Sequence, residues 1–340
     1  MSKSVLKRWI LKSLYTIFYY LGVFKLFYFA NRKSQLVITY HNVISDEIFN
    51  SDLLHLGVSC SQRAFVKQLD LLTSKFNVVT EVGIPRSCII TFDDGYKNNL
   101  EIAADHLTKK GVSGLFFIPA VYFDTKFDHN RILWVDKLLM WVSYAPVGSY
   151  VVLGNKCKIN SSQESRRCLW EYLYPKLLSN YSILELLMRE LDGQYSFNEF
   201  KKTINTKMYQ SRFEAMTVSE LNQLKEMGHK LACHSFQHDI LSLLNDEQLE
   251  HDFLMCERYS KEYNSNYYSY PFGGEDEISP NVVNVCKKYA YSAAFVNFKT
   301  HNKDKYFLGR ISLDNLSDKY FIEARLCGFE YFLKKWLVFK

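Results

Sequence analysis

Cys88-Ile89-Ile90-Thr91-Phe92-Asp93-Asp94-Gly95 decides how this chain is read. A short apolar run ends abruptly in two carboxylates and a glycine, the pattern of a buried strand that delivers polar groups at its end. Outward from it, similar units recur. Toward the N-terminus lies LVITYH (36–41), then a helical pattern with Phe65, Leu69, Leu72 and Phe76 at 4-3-4 spacing. Toward the C-terminus, a helix over roughly 97–110 is stopped by Gly111, and VSGLFFIP (112–119) reads as the next strand. Thr217 and Glu220 form a capping-box pattern for a helix that Gly228 ends. HKLACHS (229–235), a helix over roughly 246–262, YYSYPFGG (267–274) and a helix start at Ser279-Pro280 continue the rhythm. This strand–helix alternation predicts a largely parallel sheet, open or closed into a barrel.

Residues of roughly 130–215 break the rhythm. Their patterns are helical (Trp134–Val142, Cys168–Leu178, Ile183–Leu191) with little strand character, which predicts a helical insertion inside one domain spanning 36–320. At 340 residues, with 48% hydrophobic and 16% aromatic residues, the chain has ample material for a core, and disorder is excluded. The charge is unevenly placed. Residues 1–35 carry seven Lys or Arg and no Asp or Glu, whereas the remainder has 35 basic against 36 acidic residues. The net +6 therefore belongs to one arm, and a nucleic-acid-coating protein is ruled out as the default.

That arm is also apolar, through Ser13–Phe24 and Leu26–Ala30, but Gly22 and Lys25 interrupt the about 20 residues a spanning helix needs. It reads as a basic, aromatic, amphipathic segment lying in the interface of an anionic membrane. Helices packed on the domain, or a single N-terminal membrane anchor, are the alternatives. Tyr331–Trp336 repeats the theme in a basic and aromatic tail over 321–340. Eight cysteines without a CxxC pair suggest buried free thiols in a reducing compartment. With no export signal, the expected address is the cytoplasm, peripheral at the inner face of the cell membrane.

Four polar clusters fall at the C-terminal ends of expected strands: Tyr40-His41-Asn42, Asp93-Asp94-Gly95, His234-Ser235-Phe236-Gln237-His238 and Tyr270-Pro271-Phe272-Gly273. Parallel α/β proteins assemble their active sites at that edge. His234 and His238 share a face if the segment turns helically, whereas in an extended strand they would lie about 13 Å apart. Two imidazoles and a carboxylate make a donor set that suits Zn²⁺. Alone, such a pair is better read as solvated or capping histidines, and Asp-Asp-Gly commonly means a solvated turn. Together, two carboxylates on a buried strand need a compensating cation.

Thr91–Gly95 with His234-x-x-x-His238 and Pro271–Gly273 resembles the polysaccharide deacetylase family, carbohydrate esterase family four with its NodB-homology domain. The resemblance covers roughly residues 36–315 outside the insertion. It implies a NodB-like distorted (β/α) barrel with fewer strands than eight. It also implies Asp93 as catalytic base and Asp94, His234 and His238 as ligands of a divalent metal, with zinc favoured. Two departures stand out. Ser269 occupies the place of the family's usual Arg, for which Arg310 is the candidate substitute, set to pair with Asp93. The late Leu-x-His motif is missing, but LVITYH opens the domain. That order resembles the circularly permuted poly-N-acetylglucosamine deacetylases and makes His41 the candidate general acid. An ordinary surface ion pair for Arg310 and a strand-capping role for His41 are the plain alternatives. His301 reads as an exposed loop histidine.

The function these residues lead to is metal-dependent removal of an N-acetyl group from a sugar of a polysaccharide or lipid-linked glycan precursor. Tyr270, Pro271, Phe272 and Gly273 would contact the substrate, two of them with aromatic faces, for which packing into the core is the equally simple account. Expected partners are an N-acetylated glycan or lipid-linked sugar and an anionic membrane surface through residues 1–35, with no nucleic acid. A deformylase or O-deacetylase on a polyprenyl-linked sugar shares this chemistry. A catalytically silent glycan-binding or membrane-scaffold protein is the alternative from another class.

Overall fold

The computed structural model describes residues 3–51, 54, 58–124, 132–262, 266–300 and 302–336. Among them, nine strands make the main sheet: β1 (Leu36–Tyr40), β2 (Asn77–Val78), β3 (Ser87–Phe92), β4 (Leu115–Ile118), β5 (Lys230–Cys233), β6 (Tyr267–Ser269), β7 (Ala293–Val296), β8 (Leu308–Gly309) and β9 (Ile311–Ser312). Every pairing is parallel, in the order β8-β7-β6-β5-β4-β3-β1-β9, with β2 on the flank of β3. The two ends of that order are neighbours in sequence, separated only by Arg310. β8 pairs with β7 (Val296↔Gly309), β9 pairs with β1 (Ile38↔Ile311), and the Arg310 N–H donates to Val296 O at 3.0 Å. The chain changes neighbours at Arg310 and so brings the sheet nearly to closure, as a distorted (β/α) barrel. Gly309 fits there because an added Cβ would stand 2.6 Å from Phe298 O.

Alternate residues of each strand go to different cores, as a period of two requires. Val37, Ile89, Leu115, Phe117, Ala232, Ala293, Phe295 and Leu308 form one buried cluster drawn from the strands alone, the barrel interior. Ile38, Ile90, Phe92, Phe116, Cys233 and Tyr268 belong to the larger core shared with the surrounding helices. The first of those helices, Gln62–Lys75, buries Phe65, Leu69 and Leu72, the expected stripe. The capping box of Thr217 and Glu220 is present, and so is the Ser279 cap ahead of Pro280. Where 97–110 was expected as a plain helix, a π-helical turn over Asn99–Ala104 precedes an α-helix over Asp105–Lys109.

The insertion has its own core, with Trp141, Leu173, Leu187 and Phe200 fully buried. Helices Trp134–Tyr144, Gln163–Ser179 and Leu184–Gln194 confirm its helical patterns. The expectation of little strand is corrected by an antiparallel hairpin, Gly148–Val152 with Asn155–Ile159. Leu153 and Gly154 both take positive φ at its tip (51° and 74°), the conformation that two-residue hairpins demand.

The N-terminal arm forms helices Lys3–Tyr20 and Val23–Ala30, with Gly22 at φ 77° between them. They pack on the C-terminal helices Lys319–Leu326 and Phe329–Trp336. Tyr15, Phe24, Ala324, Phe329 and Leu333 are buried together, Lys12 pairs with Asp318 at 2.8 Å, and the Tyr28 hydroxyl donates to Glu323 at 2.8 Å. The packing alternative therefore describes one face of the arm. The other is bare: Trp9, Leu21 and Leu26 are each at least 66% exposed. No single described helix is long and apolar enough to cross a membrane, and the two arm helices meet at a 74° bend. All eight cysteines are free, six of them buried, while Cys157 is partly exposed and Cys168 exposed. His301 lies outside the described residues.

Candidate active site

The pleat of the strands aims the site. Continuing the interior-facing parity of Val37 and Thr39 reaches His41, that of Ile89 and Thr91 reaches Asp93, that of Ala232 reaches His234, and that of Leu308 reaches Arg310. All four converge at the C-terminal mouth of the barrel. The Arg310 guanidinium donates to both carboxylate oxygens of Asp93, at 2.7 and 2.6 Å, and lies 5.6 Å above the Phe117 ring. His41 Nε2 stands 3.9 Å and His234 Nε2 3.8 Å from Asp93 Oδ2. Burial would push the Asp93 carboxyl up, but Arg310, helped by His234 and His41, holds it below the usual carboxylate range. Burial draws His41 below its ordinary value, a pull that Asp94 and Asp93 only partly offset.

Asp94, with φ 72°, turns away from the strand to face both histidines. Its Oδ1 is 3.3 Å from His234 Nε2 and 3.1 Å from His238 Nε2, yet it has no hydrogen-bond partner although buried. His234 Nδ1 lies 2.8 Å from Ser269 O, a group that can only accept, so Nδ1 carries the proton and Nε2 presents a lone pair. The ligand atoms of Asp94, His234 and His238 all lie within 4.8 Å of one another. A buried carboxylate oxygen left unsatisfied and facing two imidazole nitrogens fits a divalent cation.

The histidines do not meet through a helical turn. Ser235 and His238 take positive φ (58° and 62°), and the Ser235 hydroxyl accepts the His238 N–H at 2.8 Å. The loop folds back on itself and brings the two rings to 4.9 Å. Beneath it, buried Asp252 accepts the Phe236 N–H at 2.9 Å.

Of the four residues expected to touch substrate, Tyr270 is corrected. It is fully buried against Tyr268 at 5.5 Å, because it points into the core shared with the helices. Pro271 and Gly273 are also buried. Phe272 is the one of the four that is only partly buried, with its ring 4.8 Å from His238. Ser269 lends the site its carbonyl and leaves the guanidinium to Arg310.

Sequence reasoning missed the insertion's part in this arrangement. The Trp134 indole N–H donates to His238 O at 3.1 Å, and the Tyr96 hydroxyl donates to buried Asp136 at 2.9 Å. Trp134 and Asp136 share the first turn of one helix, so the insertion clamps both ligand-bearing loops. Nothing local in WVDK announces this.

Fold and site together define a nearly closed, parallel (β/α) barrel that gathers Asp93, Asp94, His234 and His238 at its C-terminal mouth. In part of its sequence and in its fold the chain is similar to polysaccharide deacetylases. The family model described as polysaccharide deacetylase matches residues 198–294, which take in His234, His238 and Tyr270–Gly273, while Asp93 and Asp94 precede the match. Among solved structures, the chain is similar to the Streptococcus pyogenes deacetylase PplD, solved in complex with acetate, at 12% identity and TM-score 0.50, covering 85% of this chain and 97% of that one. It is also similar to IcaB from Ammonifex degensii at 15% identity and TM-score 0.49, covering 87% and 97%. A de-N-acetylase from Aggregatibacter actinomycetemcomitans matches at 12% identity and TM-score 0.48, covering 82% and 94%. No curated protein matches the chain.

Proposed function

We infer that this protein is a divalent-metal-dependent N-deacetylase of an N-acetylated glycan, with zinc the favoured ion and a lipid-linked precursor the favoured form of substrate. The observation that carries the reading is the unsatisfied Asp94 oxygen facing two imidazole nitrogens, beside a buried Asp93 that Arg310 keeps ionised. Asp94, His234 and His238 would hold the ion. When bound, it supplies Lewis-acid polarisation of the acetamido carbonyl and a water activated near neutral pH.

The chain's own groups divide the remaining work. Asp93 accepts the proton of the attacking water, and Arg310 fixes the orientation of its carboxylate. The Phe272 N–H, which has no hydrogen-bond partner among the described residues, is available to the carbonyl oxygen as it gains charge. His41 delivers a proton to the departing amine. A pKa drawn down by burial makes it the stronger acid, with a smaller protonated fraction at neutral pH. The Phe272 ring gives the sugar an apolar face.

The bare face of the arm supports a membrane-bound setting. Its exposed aromatic and aliphatic residues, on a segment with seven basic and no acidic residues, match an anionic lipid surface. Free thiols throughout suit the reducing, inner side of that membrane.

The test is release of acetate from N-acetylhexosamine oligomers and lipid-linked glycans by zinc-loaded protein. Formate would point to the deformylase, and loss of an O-acetyl group to the O-deacetylase. Activity undiminished in Asp93→Asn would sink the catalytic assignment, and failure to take up metal would favour a silent scaffold.

A further inference from the structure

Between the barrel mouth and the insertion lies a cavity of about 440 Å³, within the usual size range of small-ligand pockets. Gln237, from the loop between the two histidines, lines one wall. Trp134, Lys137, Glu185, Arg189 and Asp192 of the insertion line the other. Trp134 joins the cavity to the site: its ring lies 5.7 Å from Phe272, whose own ring lies 4.8 Å from His238. Glu185 and Arg189, one turn apart on helix Leu184–Gln194, are exposed, and the side chain of neither makes a hydrogen bond or ion pair with a described residue.

The lining identifies its ligand class. Two acids and two bases offset one another, so the cavity does not select an anion such as a diphosphate. It offers one flat aromatic wall together with a carboxylate, a guanidinium and a carboxamide, planar groups that can bond paired hydroxyls. A pyranose has the complementary make-up, an apolar C–H face and a rim of adjacent hydroxyls.

We propose that this cavity is a carbohydrate subsite that takes a neighbouring sugar unit of the same glycan whose acetamido group stands at Asp93, Asp94, His234 and His238. The proposal rests on the N-deacetylase reading and adds selectivity for chain length. A single sugar engages Phe272 alone, whereas a longer chain also fills the space beyond Trp134.

The experiment measures binding apart from turnover. Asp93→Asn protein is titrated calorimetrically with N-acetylglucosamine and with its β-1,4- and β-1,6-linked tetramers. One of the tetramers is expected to bind at least tenfold more tightly than the monosaccharide, and adding Glu185→Ala with Arg189→Ala should remove that advantage. Leu186→Ala, on an exposed position outside the cavity, should leave it in place. Equal tetramer affinity with and without the double substitution overturns the subsite, as does absence of tetramer binding. Acetate release by the wild-type protein is scored separately. Cavity-dependent binding without acetate would remove the deacetylase reading and leave the cavity as a glycan site.

Discussion

Arg310 holds Asp93 in a two-pronged ion pair, at 2.7 and 2.6 Å, with both side chains fully buried and 217 residues apart in sequence. Removing one partner strands a buried charge, which costs about 3–5 kcal/mol. Arg310→Met should therefore destabilise the fold by that order in denaturant melts. It should also raise the Asp93 pKa, since burial is left unopposed, and move the acid limb of kcat/KM to higher pH. Arg310→Lys keeps the charge but loses the fork, and should fall between. An acid limb that stays in place in Arg310→Met would show that Asp93 is not the titrating base.

Metal binding should depend on three residues and not on their neighbour. His238→Ala and Asp94→Ala should each abolish stoichiometric zinc uptake, measured by calorimetry and elemental analysis. His41→Ala should bind one equivalent while losing at least tenfold in kcat. Chelation should remove activity reversibly. Full zinc uptake by the Asp94 variant would refute the ligand set.

Asp252 tests how the histidine loop is supported. Burial raises its pKa to about 7, against the ordinary carboxylate value in the unfolded chain. Between about pH 4 and 7 the unfolded state has lost this proton and the folded state keeps it, so this group's contribution to stability falls as pH rises. Asp252→Asn cannot ionise. Its stability relative to wild type should climb from pH 4 to 7 in urea titrations and then level off. Asp252→Ala deprives the Phe236 N–H of its acceptor, which should cost about 1–3 kcal/mol and weaken zinc binding. A flat difference between Asn variant and wild type across that window would count against the raised pKa.

The two faces of the arm should separate by mutation. Trp9→Ser, Leu21→Ser and Leu26→Ser combined should cut binding to anionic vesicles at least tenfold in sedimentation assays and leave the melting temperature unchanged. Phe24→Ala, in the buried face, should instead cost about 3–5 kcal/mol of stability. Vesicle binding unaffected by the triple substitution would end the membrane reading. Deletion of residues 1–33 is the less informative variant, because it also uncovers Phe329 and Leu333.

Sequence by itself determined which residues face the barrel mouth. A strand has a period of two, so the same parity that buries Val37, Ile89, Ala232 and Leu308 presents His41, Asp93, His234 and Arg310. It also determined the helix caps at Thr217 and Ser279, which depend on neighbours a few residues away.

Tertiary structure alone decided which of those residues meet. Arg310 reaches Asp93 because the sheet comes to closure at that position, and no local pattern encodes a pairing across 217 residues. The histidine loop closes through two left-handed residues where a helical turn was the obvious reading, and Asp252 from a later helix holds it in place. Tyr270 and Phe272 look interchangeable in sequence, yet the turn buries one and presents the other. The same holds for the arm, whose apolar residues read alike until packing against Phe329 and Leu333 covered one face and left the other bare. Local chemistry sets the side to which a residue points, and what it finds there depends on contacts between segments distant in the chain.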